Sequence, residues 1–436
     1  MSLHLRQHPV SDHPSSERRF WKRPRLAASS SLSLLALFGA LSCQAAGAAA
    51  NPEVPLWVHR ASGSIQLLYS RSILAASRAV GEPYERGGTE LDTGHRRVFV
   101  GSRDNGFYAL QAQDGAVLWR FDTLGPVQSE ARYDSRENVV YFGSNDGALY
   151  KVDADTGTLH WRFATGAEVS HRPVLKDGLV YITNANDTVV AINAKSGAMV
   201  WNQHRPPALG MEVAGHSGPL LWRGLVHMCF SDGTVTAFDA RTGEERWAPV
   251  DLSAAAEQTL GELPTYLDVD TTPVPDMIEQ QAVVYVASYE GGVYALNAET
   301  GSRVWSSTNV RGTSDLYLWE QAGYTRDGAP AVPGRKLLIV STGTTGLWAL
   351  DPATGNEVWH REVPLGGTSR AVPALGALMF STTQQGLFLL SPLDGRVIDG
   401  VHTGEGFSMP PSVHGQRAFI VSNGGKFYSF VITPPI

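Results

Sequence analysis

Hydrophobic and polar positions repeat along this chain in a 24-residue unit of two short apolar runs, a polar turn and a third run. The unit starts at Val98, Val140, Val180, Val226, Val284, Leu338 and Leu378, always without a gap. In VYFGSNDGALYKVDADTGTLHWRF the runs VYF and ALYKV flank SNDG, and DADTG leads into TLHWRF. Asn and Asp close such turns by accepting nearby backbone N–H groups, and Gly supplies a positive φ. Runs this short between such turns predict strands. A fourth strand precedes each unit and often carries proline, at Pro173, Pro219, Pro273, Pro373 and Pro411. Proline cannot donate to a ladder, so this strand belongs at a sheet edge, innermost or outermost of four.

Four short antiparallel strands every forty residues or so predict an all-β fold, a β-propeller of four-stranded blades. An eighth copy begins at Ala418, but the chain ends before its last strand. PLWVHR around Trp57 looks like that missing strand, so the expectation is an eight-bladed ring closed by the N-terminal strand near Trp57. Closure removes exposed sheet edges. Six units carry a tryptophan as their twenty-second residue, at Trp119, Trp161, Trp201, Trp247, Trp305 and Trp359, and the seventh has Asp399 there. Each tryptophan is expected to fill the wedge between two blades, a structural role.

Insertions fall between units, in connectors expected at 202–225, 248–283 and 306–337 and on one face of the ring. Insertions of this kind mark the binding side of a repeat protein. The third contains LYLWEQAGY, whose Tyr317, Trp319 and Tyr324 suit an additional interface or packing over the blade below.

The N-terminus changes the picture of where the chain works. Arg18, Arg19, Lys22, Arg23 and Arg25 precede an apolar stretch from Leu32 to Leu41, too short to span a bilayer. A basic region, a short apolar core and small residues describe an export signal, residues 1–42. ALSC resembles a lipobox, with cleavage before Cys43 and Gln44 following; an ordinary site after Ala50 is the alternative. The mature propeller is then 43–436. Residues 1–42 hold six basic and two acidic side chains, so the remainder carries a net charge of −11. Such a surface repels nucleic acid and favours a basic protein partner. Only Cys229 remains in the body, which excludes an internal disulfide.

The repeated DAxTGxxxW turn resembles the quinoprotein-type propeller repeat from Val98 onward. Within that group LDVDTTPV, Leu267 to Val274, looks like the motif of the BamB family of outer-membrane β-barrel assembly lipoproteins. The resemblance implies a non-enzymatic scaffold that binds the barrel-inserting subunit, with Asp268 and Asp270 as contacts. The same two aspartates are also suited to capping a strand through Asx turns. A second contact loop of the family corresponds to MEVAGHSGP, where Met211 and Val213 keep the apolar character and Ala214 replaces an arginine. The resemblance further implies a lipid anchor on the periplasmic side of the outer membrane, and unfolded outer-membrane proteins as additional partners.

Two other readings stay open. A quinone-dependent dehydrogenase shares the repeat, but no cysteine pair, HExxH or phosphate-cradling loop is present, and the thirteen histidines lack metal-ligand spacing. No cofactor, metal or catalytic residue is expected. A binding module would use the central channel for a small ligand or peptide, with His171, Arg172, Arg370 and Met409 as candidate channel groups.

Overall fold

The computed structural model describes residues 63–73, 85–207, 216–261, 266, 268–323, 333–363 and 365–434. They form eight four-stranded antiparallel sheets. Blade 1 comprises Thr89–Asp92, Arg97–Gly101, Gly106–Gln111 and Val117–Asp122. Blades 2 to 7 follow in chain order over 132–164, 174–204, 220–251, 274–307, 313–361 and 372–402. Blade 8 takes Ser412–His414, Arg417–Val421 and Lys426–Ile432 from the C-terminal end, and its fourth strand, Ile65–Ser72, from the N-terminal end.

Closure by an N-terminal strand is therefore as expected, but the strand is Ile65–Ser72 and not the segment around Trp57, which lies outside the described residues. The register shows why. Ala109 pairs with Trp119 in blade 1, and the corresponding Ser429 of blade 8 pairs with Tyr69. Tyr69 takes the tryptophan's place.

Burial follows from the stacking of blades. Middle strands such as Val139–Ser144 and Ala148–Asp153 are buried along nearly their whole length, because each meets a neighbouring blade on both faces. Outermost strands such as Leu159–Ala164 stay largely exposed. The proline-bearing first strands are the innermost ones.

The wedges between blades share one joint. Trp119 Nε1 donates to the Ala154 carbonyl of the next blade at 3.0 Å, and Trp161, Trp201, Trp247, Trp305 and Trp359 donate likewise at 2.8–3.3 Å. Tyr69 Oη donates to the Ala112 carbonyl at 2.8 Å. The accepting carbonyl belongs to the Asx turn read from the sequence: Asp351 Oδ1 accepts from the N–H groups of Ala353 and Thr354. That turn ends on Gly355 at φ 73°, where an added Cβ would sit 2.5 Å from the Trp305 ring. Each of the six tryptophans packs in a cluster shared by its own blade and the next. At the eighth joint there is no such turn to meet, and Asp399, 1% exposed, instead accepts the Ile65 N–H at 2.8 Å.

All eight outermost strands also slip register by one residue immediately before this aromatic or aspartate, as between Ala109 and Leu110 in blade 1. The extra residue, Leu118 in blade 1, forms a β-bulge.

Two connectors differ from expectation. Segment 248–283 contains the single α-helix among the described residues, Leu252–Leu260, capped by Asp251 and ended by Gly261 in the left-handed region. Segment 306–337 contains the first strand of blade 6, Thr313–Gln321. Its insertion therefore falls between the first and second strands of blade 6 and not between two blades. The long connectors are 205–219, 252–273 and 73–88.

Candidate functional site

First strands of the eight blades surround the axis, and the residues just before them line a channel of about 920 Å³. Antiparallel alternation puts the connectors and the turns between second and third strands on one face. Channel residues from both sets, such as Asn145, Ala185 and Thr383 from the turns and Glu168, His216 and Asp270 from the connectors, show that it opens on that face. His171, Arg172, Arg370 and Met409 all line it, as expected.

Deeper in, charges cross the axis. Glu130 of blade 2 accepts a hydrogen bond from Arg370 of blade 7 at 3.2 Å, and Arg370 also approaches Asp315 of blade 6 at 3.6 Å. Blades 2 and 7 are three apart around the ring, so this chain of ions spans the channel. A Cβ on Gly88 would lie 2.6 Å from Glu130 Cγ; glycine leaves room for the glutamate to pass over blade 1. Arg172 meets both oxygens of Glu90 at 2.6 Å.

These neighbours set the charge states. Burial would raise the Glu130 carboxyl, but Arg370 and Arg172 outweigh it and hold it below the ordinary value. Asp315 is pushed up to about 6 by burial, against the pull of Arg370. The two carboxylates drive the Arg370 guanidinium upward. His171 is lowered to about 4 by burial, with Glu130 partly opposing, and His216 to about 3 by burial and by His171. Their rings meet edge to face at 4.9 Å, both neutral near pH 7.

The two aspartates of LDVDTTPV part company. Asp268 is 1% exposed, and its carbonyl accepts the Tyr289 N–H at 3.2 Å. Val269 and Thr271 turn into the core, while Asp270 and Thr272 face the channel mouth. The pair is thus one channel-facing group and one buried group. Met211, Val213, Tyr324 and Cys43 lie outside the described residues. Trp319 is 7% exposed and packs with Trp359 and Phe380, and Tyr317 lies half-buried against them. Both rings pack over the neighbouring blade, the second of the two roles expected for them. They belong to a strand read as a connector.

The axial ion chain escaped sequence reading because nothing in the repeat links Glu130 to a residue 240 positions away. Among the described residues no group of three His, Cys, Asp or Glu is placed to hold a metal ion.

A family described as outer membrane protein assembly factor BamB matches residues 128–361 and 278–434. The BamB of Yersinia pestis is 24% identical over 346 residues, which are 79% of this chain and 71% of that one. Among solved structures, BamB from Moraxella catarrhalis superposes with a TM-score of 0.64 at 18% identity, covering 84% of this chain and all of that one. Quinohemoprotein alcohol dehydrogenase from Comamonas testosteroni shares the fold at a TM-score of 0.61 and 13% identity, over 87% of this chain and 78% of that one. With most of its length matched by the family's own pattern, the chain belongs to the BamB family of outer membrane protein assembly factors.

Proposed function

We propose that this protein is a non-enzymatic scaffold that holds the barrel-inserting subunit of the outer-membrane assembly machinery against its connector face. The observation that carries the reading is the match to the assembly-factor family over blades 2 to 8, the region that contains the two long connectors beside Asp270. Asp270 at the channel mouth is the contact for a basic partner surface. Asp268, buried behind it, positions the segment. Met211 and Val213 supply apolar contacts from the preceding connector. A ring of interlocked blades presents these loops with little ordering entropy left to lose on docking, and the acidic group orients the partner. Export on residues 1–42 and acylation of Cys43 would tether the propeller at the periplasmic side of the outer membrane. No helix among the described residues is long and apolar enough to cross a membrane.

The shared fold keeps a quinone-dependent dehydrogenase as the rival. Against it stands the Arg370–Glu130 bond, which crosses the axis with the protein's own side chains, and the lone Cys229 among the described residues where a cysteine pair would be needed. Affinity capture from detergent-solubilised membranes tests the scaffold. Wild type should recover the barrel-inserting subunit and Asp270→Arg should not; equal recovery would remove Asp270 from the interface. Alcohol-dependent dye reduction after addition of quinone and calcium would overturn the non-enzymatic reading.

A further inference from the structure

A second recess, of about 610 Å³, is lined by the first strands of blades 2 and 3 and the turns that follow them. It shares no residue with the axial channel. What sets its wall apart is Arg132, in the first strand of blade 2 and paired with Tyr141. At the same station the repeat places Val174, Leu220, Val274 and Val372, opposite Tyr181, His227, Tyr285 and Met379. Glu90 of blade 1 is the one other charged residue at this station, and it is paired with Arg172. The fold needs no charge there, yet blade 2 supplies a guanidinium.

That guanidinium has no counter-charge. Arg132 is partly buried, and it makes no ion pair or side-chain hydrogen bond among the described residues. Its inner Nε is shut away from solvent, so the outer Nη groups are the ones a ligand reaches. Nearby carboxylates are engaged: Glu137 Oε2 accepts from Lys151 Nζ at 2.6 Å, and Asp134 Oδ1 accepts the Arg136 N–H at 3.0 Å. With Glu137 set against Lys151, the lining holds Arg132, Arg136 and Lys176 against Asp134 and Asp177, one positive charge in excess. A partly buried cation without an acceptor is costly, and an anion that reaches it removes that cost. Leu175, packed against blade 2, adds an apolar wall.

We infer that this recess is an anion site, which takes a carboxylate carried on a small apolar group. The planar fork of Arg132 suits both oxygens of a carboxylate at once, and Leu175 covers the apolar part. A phosphate dianion fits less well, because Asp134, Glu137 and Asp177 border the site and only one excess positive charge meets it. The inference stands apart from the scaffold reading, whose contacts lie on other residues.

Ligand-observed NMR titration of the full mature chain with acetyl-Gly-Leu, which ends in a free carboxylate, tests it. This dipeptide should bind saturably with a Kd of about a millimolar, as one bidentate ion contact and one leucyl side chain allow. Acetyl-Gly-Leu-amide and inorganic phosphate should each bind at least about tenfold more weakly. Arg132→Val installs the side chain that blade 3 carries at this station, so the variant keeps the fold. It should lose at least about tenfold in affinity for acetyl-Gly-Leu and bind the amide as wild type does. Arg132→Lys keeps the charge without the fork and should fall between the two. Acetate separates the sources: affinity within about threefold of the dipeptide supports a free short acid, and weaker binding supports the end of a peptide. Absence of saturation, equal binding of the amide, tighter binding of phosphate, or unchanged affinity in Arg132→Val would each overturn the inference.

Discussion

Replacing Gly355 by alanine should show what holds neighbouring blades in phase. Gly355 sits at φ 73°, and a Cβ there would lie 2.5 Å from Cε3 and 2.8 Å from Cδ2 of Trp305. Two costs follow. The left-handed backbone disfavours any side chain by about 1–2 kcal/mol, and pressing a methyl group into a packed indole costs about 1–3 kcal/mol more. The sum is about 2–5 kcal/mol, and it falls on a ring whose Nε1 bonds the Pro352 carbonyl at 2.9 Å. Gly166 provides the control: at φ 86° it has nothing within 4 Å of the added carbon, so Gly166→Ala should lose only about 1–2 kcal/mol. Urea unfolding followed by tryptophan fluorescence measures both. In a Trp305→Ala background the Gly355→Ala cost should shrink to that of Gly166→Ala, since the clash has been removed. Equal costs for the two glycines in the wild-type background would refute the claim that close approach to the indole, and not the turn conformation, is what demands glycine.

Other tests follow the same logic. His227 is fully buried with neither ring nitrogen partnered among the described residues, and burial lowers it to about 4. The unfolded chain binds its proton more readily, so stability rises with pH between about 4 and 6.5. His227→Phe should remove about 3 kcal/mol of that rise in unfolding titrations; an unchanged pH profile would contradict it. Asp399→Ala should leave the Ile65 N–H without its acceptor and cost about 2–3 kcal/mol. Limited proteolysis should then cut first within Ile65–Ser72, whereas first cuts elsewhere would show that the seam is not closed by this bond. Asp270→Arg should abolish capture of the barrel-inserting subunit without lowering the melting temperature, because Asp270 lines the mouth and not the core.

Much of this architecture is written in the repeat, because each unit carries its own strand pattern and turn chemistry. The eight blades and the places of the six tryptophans follow from counting within a unit, whereas His171, Arg172, Arg370 and Met409 are only candidates there, since alternation along the first strands does not fix which of them face the channel. What departs from the unit was harder to read. IQLLYSRS has no tryptophan, and its place in blade 8 depends on Tyr69 standing opposite Ser429. Asp399 was the visible sign that one joint is built differently. TSDLYLWEQ looked like a connector because it lacks the proline that marks most first strands. The helix at Leu252–Leu260 was within reach, since Asp251 and Gly261 are ordinary start and stop signals. Asp268 and Asp270 are alike in sequence, and only the path of the chain over the inner edge of blade 5 buries one and exposes the other. The Glu130–Arg370 contact lay beyond any local reading, since it exists only once the circle has closed.

The register slips on the rim have a consequence for life in company. A straight β-strand from another molecule needs several consecutive free amides and carbonyls in line, and here that line is broken at every point of the circumference. On the proposed scaffold reading the wheel works among polypeptides destined to become barrels, for which a straight perimeter would be a template on which to accrete. The kinked perimeter lets copies crowd together, and lets strand-forming neighbours pass by, without seeding a fibril.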